Sequence, residues 1–250
     1  MKGMPAEDLP SSVGDGAPTP DEPSRRPALD RNRVLKAALD LVDTDGLDAL
    51  TMRALGRKLG RDPMALYRYT SNRSALLDGL VELVLGQLVI PADSEDWKGQ
   101  LRRTAHDFRS LALAHPHVIP LLISRPLSTP LGLRPLGTLR PLEQFLELLI
   151  GAGFSPVDTL HTYRIFFGFL YGHINAERLE LVDDPQEAEH LVNLGLHRLP
   201  PEEFQNIRSL RGALARYDGA AELDHGLDII LTGLVNRLQT FDQTPHTQPL

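Results

Sequence analysis

Apolar residues along this chain recur at intervals of three and four in block after block, with no sustained alternation, so the pattern predicts helices and no strands. In LDRNRVLKAALDLVDTDG, Val34, Leu35, Ala38, Leu39, Leu41 and Val42 share one helical face, with Asp30 suited to the N-cap and Gly46 to the stop. Thr51 suits the next N-cap, Leu50 and Leu55 are spaced as a hydrophobic staple, and Gly60 closes a short second helix. Gly60-Arg61-Asp62 then reads as a tight turn. Asp62 caps a third helix, Pro63 takes its first position, and the helix runs to about Tyr69. Ser71 offers a fresh cap for a longer helix carrying Leu76, Leu77, Leu80, Val81, Val84 and Leu88, which ends before Pro91. Two short helices about a glycine turn, braced by longer ones, predict a helix-turn-helix.

Downstream the pattern predicts helices over 95–114, 141–150, 156–181, 201–216 and 221–240, with Ser155 as a cap and Asp158 in the first turn it caps. Pro126, Pro130, Pro135 and Pro141 forbid one regular helix across 124–141, and 183–200 reads as a loop. Residues 1–28 are rich in proline and poor in large apolar side chains, so they read as a disordered arm, and 241–250 as a flexible tail. The expected fold class is all-α, with a DNA-binding helix-turn-helix domain over 29–75 and a second helical domain over 76–240.

A chain of 250 residues with 42% apolar content can bury a sizeable core. The formal charge of −7 argues against a protein that is basic throughout, yet residues 51–74 hold six cations (Arg53, Arg57, Lys58, Arg61, Arg68, Arg73) against Asp62 alone. Zero cysteines exclude disulfides, thiolate metal sites and cysteine nucleophiles. No signal peptide opens the sequence and no apolar run approaches the roughly 18 residues of a membrane span, so a cytoplasmic location is expected.

In a helix-turn-helix the second helix enters the major groove by its N-terminal residues while flanking groups hold phosphates. Asp62, Pro63, Met64 and Ala65 then face base edges, where Met64 or Ala65 can touch a thymine methyl, and Arg53 is long enough for a bidentate guanine contact. Tyr67, Tyr69 and Arg73 lie near the following turn, within reach of phosphate oxygens. A cationic run is often only a solvated face, but caps, turn, charge and aromatics coincide here within one three-helix unit. Arg25 and Arg26 precede the first helix and could reach a minor groove, or stand as solvated linker charges. No nucleotide-binding or hydrolase word occurs. His115 and His117 flank Pro116 with no third ligand at a diagnostic spacing, so no enzyme activity, cofactor or metal is expected.

The segment LDRNRVLKAALDLVDTDGLDALTMRALGRKLGRDPMALYRYTSNRSALLDGL resembles the DNA-binding domain of the TetR (tetracycline repressor) family, in the branch of the tetracycline repressors themselves. The likeness continues more weakly through Trp97, LRRTAHDFR, SRP at 124–126, GAGFSPVD at 151–158 and HGLDIILTGL at 225–234. It implies a homodimeric, ligand-responsive repressor in which 76–240 binds an effector and dimerises, and in which operator DNA is a palindrome. The alternative is a dimeric ligand-sequestering protein with weak DNA binding. Carried over by position, base reading falls on Arg53, Asp62, Pro63, Met64 and Ala65, and phosphate contact on Thr51, Tyr67, Tyr69 and Arg73. Positions 63–65 differ from the tetracycline repressors, which implies a different operator sequence.

The effector region departs further. Where the tetracycline repressors ligate magnesium through a histidine, this chain has Leu121 or Leu122. A second histidine becomes Val89, an asparagine Thr104 and a glutamine Phe145, and only Phe108 is retained. The resemblance thus implies an apolar pocket lined by Val89, Thr104, Phe108, Leu121, Phe145, Leu160, Tyr163, Arg164 and Phe167, taking a mainly apolar, aromatic or polyketide-like effector. Arg164 is expected to face that pocket and to meet a ligand anion or an internal acid such as Glu143 or Glu147. Helices 156–181 and 221–240 are expected to form a four-helix dimer interface, through Ile229, Ile230, Leu234, Leu238 and the aromatic face of the earlier helix.

Overall fold

The computed structural model describes residues 29–91, 93–128, 134–180 and 185–242, and their regular elements are all helical. In chain order these are α1 (Arg31–Asp45), α2 (Met52–Leu59), α3 (Pro63–Leu66), α4 (Arg73–Leu85), α5 (Trp97–Ala114) and α6 (Ile119–Ser128). There follow α7 (Leu136–Gly151), α8 (Pro156–Glu180), α9 (Pro185–His197), α10 (Gln205–Ser209), α11 (Arg211–Leu214) and α12 (Gly219–Asp242), and a 3-10 turn at Leu47–Ala49 separates α1 from α2. The arm expected over 1–28, with Arg25 and Arg26, lies outside the described residues. So do residues 243–250 of the expected tail, whose first two residues instead finish α12.

The helix ends follow from local side chains. Asp30 accepts from the Arg33 amide at 2.7 Å, and Gly46 stops α1 at a φ of 80°. Thr51 accepts from the Ala54 amide at 3.1 Å, while the stapling pair Leu50 and Leu55 is wholly buried. α3 closes after Leu66 rather than at Tyr69, because the amides of Tyr69 and Thr70 both turn back to the Leu66 carbonyl. The cap of α4 accordingly moves from Ser71 to Asn72, whose Oδ1 accepts from the Ala75 amide at 2.8 Å. α4 itself stops at Leu85, short of Leu88, which is buried in the turns beyond it.

Three other expectations are corrected. Most of the loop expected over 183–200 is helix: α9 begins at Pro185, where a missing amide costs nothing, runs to His197, and buries Leu196. The helix expected over 201–216 is broken at Leu210 into α10 and α11. α7 starts at Leu136, five residues earlier than expected, and carries Pro141 inside it. Pro126 falls within α6, which ends at Ser128 before α7 begins, so no single helix crosses 124–141, in keeping with the prolines there.

One hydrophobic core runs from Val34 on α1 to Leu234 on α12 without interruption. α1, α2 and α3 pack together, and α4 connects them to α6 and α7. Behind α4, the helices α5, α8 and α12 pack on one another and are tied by polar pairs. Arg109 Nε donates to Glu177 at 2.9 Å, His106 Nε2 lies 2.9 Å from Asp224 Oδ1, and Arg237 Nε donates to Asp158 at 3.1 Å.

Candidate nucleic-acid interface and effector chamber

α2 and α3 cross so closely that the crossing depends on Gly56. A Cβ there would meet the Arg61 carbonyl at 2.9 Å and the Pro63 ring at 3.2 Å. Gly60 supplies the left-handed turn at a φ of 62°, the Arg61 amide donates to the Gly56 carbonyl, and Asp62 accepts from the Met64 amide at 2.7 Å. Leu55 and Leu66 anchor the inner sides of the two helices in the core. This arrangement leaves Thr51, Arg53, Asp62, Met64 and Tyr67 exposed along one unit, and Pro63, Ala65 and Tyr69 half-buried. Met64 is 73% exposed at the second position of α3. Arg73 has an internal task that the sequence did not indicate. Its Nε donates to the Leu50 carbonyl at 3.2 Å and its Nη2 to the Leu47 carbonyl at 3.0 Å, so it braces the segment that leads into α2.

The second feature is an aromatic group between α5, α7 and α8. Phe145 lies 5.7 Å from Tyr163 and 5.5 Å from Phe167, centroid to centroid, and Phe167 lies 5.0 Å from Tyr163 and 6.0 Å from Phe108. Thr104, one turn before Phe108 on α5, is buried, and its Oγ1 finds no hydrogen-bond partner among the described residues. The structure therefore brings together Thr104, Phe108, Phe145, Tyr163 and Phe167. It adds Phe166, 5.3 Å from Phe145, and Tyr171, 5.5 Å from Phe108, which the sequence suggested only as core or interface. Burial pushes both phenols up, Tyr171 strongly. For Tyr163 the nearby charge of Arg134, and after it a hydrogen bond from the same guanidinium, works against that rise.

The other expected lining residues stand elsewhere in the single chain. Val89 is 62% exposed after the end of α4, Leu160 is exposed on α8, and Leu121 is half-buried against the core beside fully buried Leu122. Arg164 is also exposed in the single chain. At 100° per residue, position 164 falls about 160° from Phe166 but only about 60° from Phe167 and about 20° from Tyr171, so it borders the aromatic group on one side and the outward residues Val157 and Gly168 on the other. A guanidinium that does reach this aromatic group is that of Arg134, just before α7, beside Tyr163. Nothing in the periodicity marked it, because it precedes the helix that it serves. The expected apolar interface is redistributed in the same way. Phe166, Phe167 and Leu234 turn inward and Ile230 and Leu238 pack against the core, leaving Val157, Leu160 and Ile165 on α8 and Ile229 on α12 open.

Comparison with known proteins places these features in a family. Residues 90–238 match the family model described as tetracyclin repressor-like, C-terminal domain. The chain is 30% identical over 216 residues to the class A tetracycline repressor protein of transposon 1721 from Escherichia coli, covering 84% of this chain and 92% of that one. It is 31% identical over 176 residues to the HTH-type transcriptional repressor DrrR1 of Streptomyces coeruleorubidus, covering 69% of this chain and 61% of that one. Among solved structures it is similar to the Streptomyces coelicolor TetR family protein ActR in complex with actinorhodin, with a TM-score of 0.71 and 26% identity over 84% of this chain and 99% of that one. A helical fold, a helix-turn-helix with an exposed reading face and a match to the family model across most of the remaining chain lead to one conclusion: the chain belongs to the TetR family of transcriptional regulators.

Proposed function

We propose that this protein is a homodimeric repressor that binds a palindromic operator through α2 and α3 and releases it when an aromatic, mainly apolar effector enters the chamber. Its head comprises 29–75 and its ligand-binding and dimerising body 76–240; it catalyses no reaction and works in the cytoplasm, where its DNA is. The observation that carries the reading is the exposed row of Arg53, Asp62, Met64 and Tyr67 on a unit whose inner residues are buried. Arg53 and Met64 supply base contacts, with Asp62, Pro63 and Ala65 beside them, and Thr51, Tyr67 and Tyr69 supply the phosphate side.

Dimerisation rests on the outward face of α8 and α12. Val157, Leu160 and Ile165 lie exposed there with Ile229, and a side chain at Gly168, Gly172 or Gly233 would meet nothing within 4 Å. Apolar side chains beside small residues let two helices approach a second pair closely, and a two-fold axis through such a seam places two reading units about 34–36 Å apart.

For the effector, the chamber lining of Phe108, Phe145, Tyr163, Phe167 and Thr104 offers ring faces and few polar groups, the usual form of a site for a flat apolar molecule. ActR, which is similar to this chain, was solved in complex with a small molecule, actinorhodin. The leucines at 121 and 122 cannot ligate magnesium, so the response is independent of that ion. The deciding experiment is retardation of a fragment of the protein's own upstream DNA at rising salt, followed by titration with actinorhodin and with tetracycline plus magnesium. A steep salt dependence and release by the former alone support the reading. Failure to retard DNA at low salt favours a ligand-sequestering dimer, and magnesium-dependent release by tetracycline refutes the chamber assignment.

A further inference from the structure

α1 is held to the body by a contact that does not pass through α4. Asp43, on the last turn of α1, places Oδ2 2.8 Å from Nδ1 of His115, which caps the C-terminus of α5. Both side chains are largely enclosed, and the other carboxylate oxygen of Asp43 is buried with no hydrogen bond, so His115 is the group that holds this carboxylate. His115 is itself fixed, because its amide donates to the Leu111 carbonyl at 3.0 Å. Two residues on, the His117 ring comes within 3.9 Å of where a Cβ at Gly46, the stop of α1, would stand. The corner between α5 and α6 therefore grips the end of α1 at two points.

That corner is continuous with the chamber wall. Phe108 lies seven residues before His115 on α5, two turns or about 10 Å along the axis, and Thr104 one turn before that. A helix transmits a displacement of one end to the other as a near-rigid rod, and α4 meets α1 separately, through Glu82 and Arg31, 3.0 Å apart. An imidazole Nδ1–H donates to a carboxylate whether the ring is neutral or charged, so the grip requires no particular protonation state.

We propose that Asp43 and His115 are positioning residues that fix the helix-turn-helix to the α5 rod and carry a rearrangement of the aromatic chamber to it. The inference deepens the repressor reading and rests on it for its consequence at DNA, but not for the contact itself. The chain has no cysteine, so paired nitroxides at Lys58→Cys on α2 and Ser110→Cys on α5, both exposed, report one distance when labelled chains are diluted with unlabelled ones.

His115→Phe and Asp43→Ala are each expected to broaden and shift that distance, and to weaken binding to the upstream fragment about tenfold. The double variant should match either single one, as for two residues that act through one contact. His115→Gln, whose amide still donates, should restore the narrow distribution. An unchanged distance in both single variants overturns the proposal, as does a double variant whose effects add. If the unaltered protein fails to bind its upstream DNA the repressor reading falls, and the distance measurement still decides the latch by the same criteria.

Discussion

Arg73 at the start of α4 reaches back 23 residues to the main-chain carbonyl of Leu50, at 3.2 Å, and so closes the base of the helix-turn-helix. With its second bond to Leu47 it holds the short 3-10 turn against α4, and this turn sets where Thr51 begins α2. Arg73→Ala is expected to cost about 1.5–3 kcal/mol of stability, the range for hydrogen bonds to a charged group, and to leave the salt dependence of DNA binding unchanged. Arg73→Lys tests the assignment in chemical denaturation. A lysine keeps the charge but cannot reproduce the two-carbonyl brace, so its midpoint should stay near that of the alanine variant, whereas full recovery would return Arg73 to the phosphate backbone.

Arg53 is exposed on the first turn of α2 and holds no carbonyl among the described residues, and the proposed function gives it a base edge to read. Arg53→Ala should lose about 1–3 kcal/mol at one base position in each half-site and little on random DNA, as read by competition titration against single-base operator variants. Equal losses on specific and random sequences would remove it from base reading.

Gly56→Ala pushes a methyl group onto the Arg61 main-chain carbonyl and Pro63, neither of which can rotate away. Overpacking of this kind costs about 1–3 kcal/mol, and here the strain is relieved only by opening the angle between α2 and α3. Operator binding should fall further than thermal stability does, a disparity that calorimetry and DNA titration on one sample will measure.

The Ser155 hydroxyl donates to Asp158 at 2.6 Å, and this bond first, with Arg237 after it, holds the Asp158 carboxyl below the usual carboxylate range. A carboxylate with a depressed folded pKa contributes stability that is present above its unfolded value, near 3.9, and is lost as pH falls from there through the folded value. Ser155→Ala should cost about 1 kcal/mol at neutral pH as a lost cap, and flatten the fall in stability below about pH 4. Denaturant melts between pH 2 and 7, to be run on the variant and its parent, will show a parallel displacement instead if Asp158 is not the responsible group.

Ile229 is 64% exposed in the single chain, amid the apolar strip on α8 and α12. Ile229→Glu would seat a charge in the centre of the proposed seam, and light scattering at micromolar concentration should then show a monomer with unchanged helical content. A dimer that tolerates this charge would locate the seam elsewhere.

What could be read from the sequence was whatever depends on neighbours in the chain. Caps at Asp30, Thr51 and Asp62 are local hydrogen bonds, and each is where the residue type placed it. The end of α3 was misjudged by three residues because a closing turn at Leu66 and a continuing helix need the same apolar residues. α9 was hidden by the proline at its start, which signals a break as readily as a first turn. The aromatic group was legible only through the resemblance, since Phe108, Phe145, Tyr163 and Phe167 lie on three different helices and no spacing in the chain joins them. Arg134 left no trace, since its contact to Tyr163 joins residues far apart in the chain.

α8 has two working faces, with Phe166 and Phe167 turned to the chamber and Val157, Ile165 and Gly168 turned outward. In a two-fold assembly the wall of one chamber would therefore be the backing of the other, with a single layer of helices between two effector molecules. Neither α8 can rotate to admit a guest without disturbing the seam that its counterpart shares. Effector titrations of the free dimer should accordingly be sigmoidal, with a Hill coefficient above one, and a hybrid with one sealed chamber should respond with the shallow curve of an independent site.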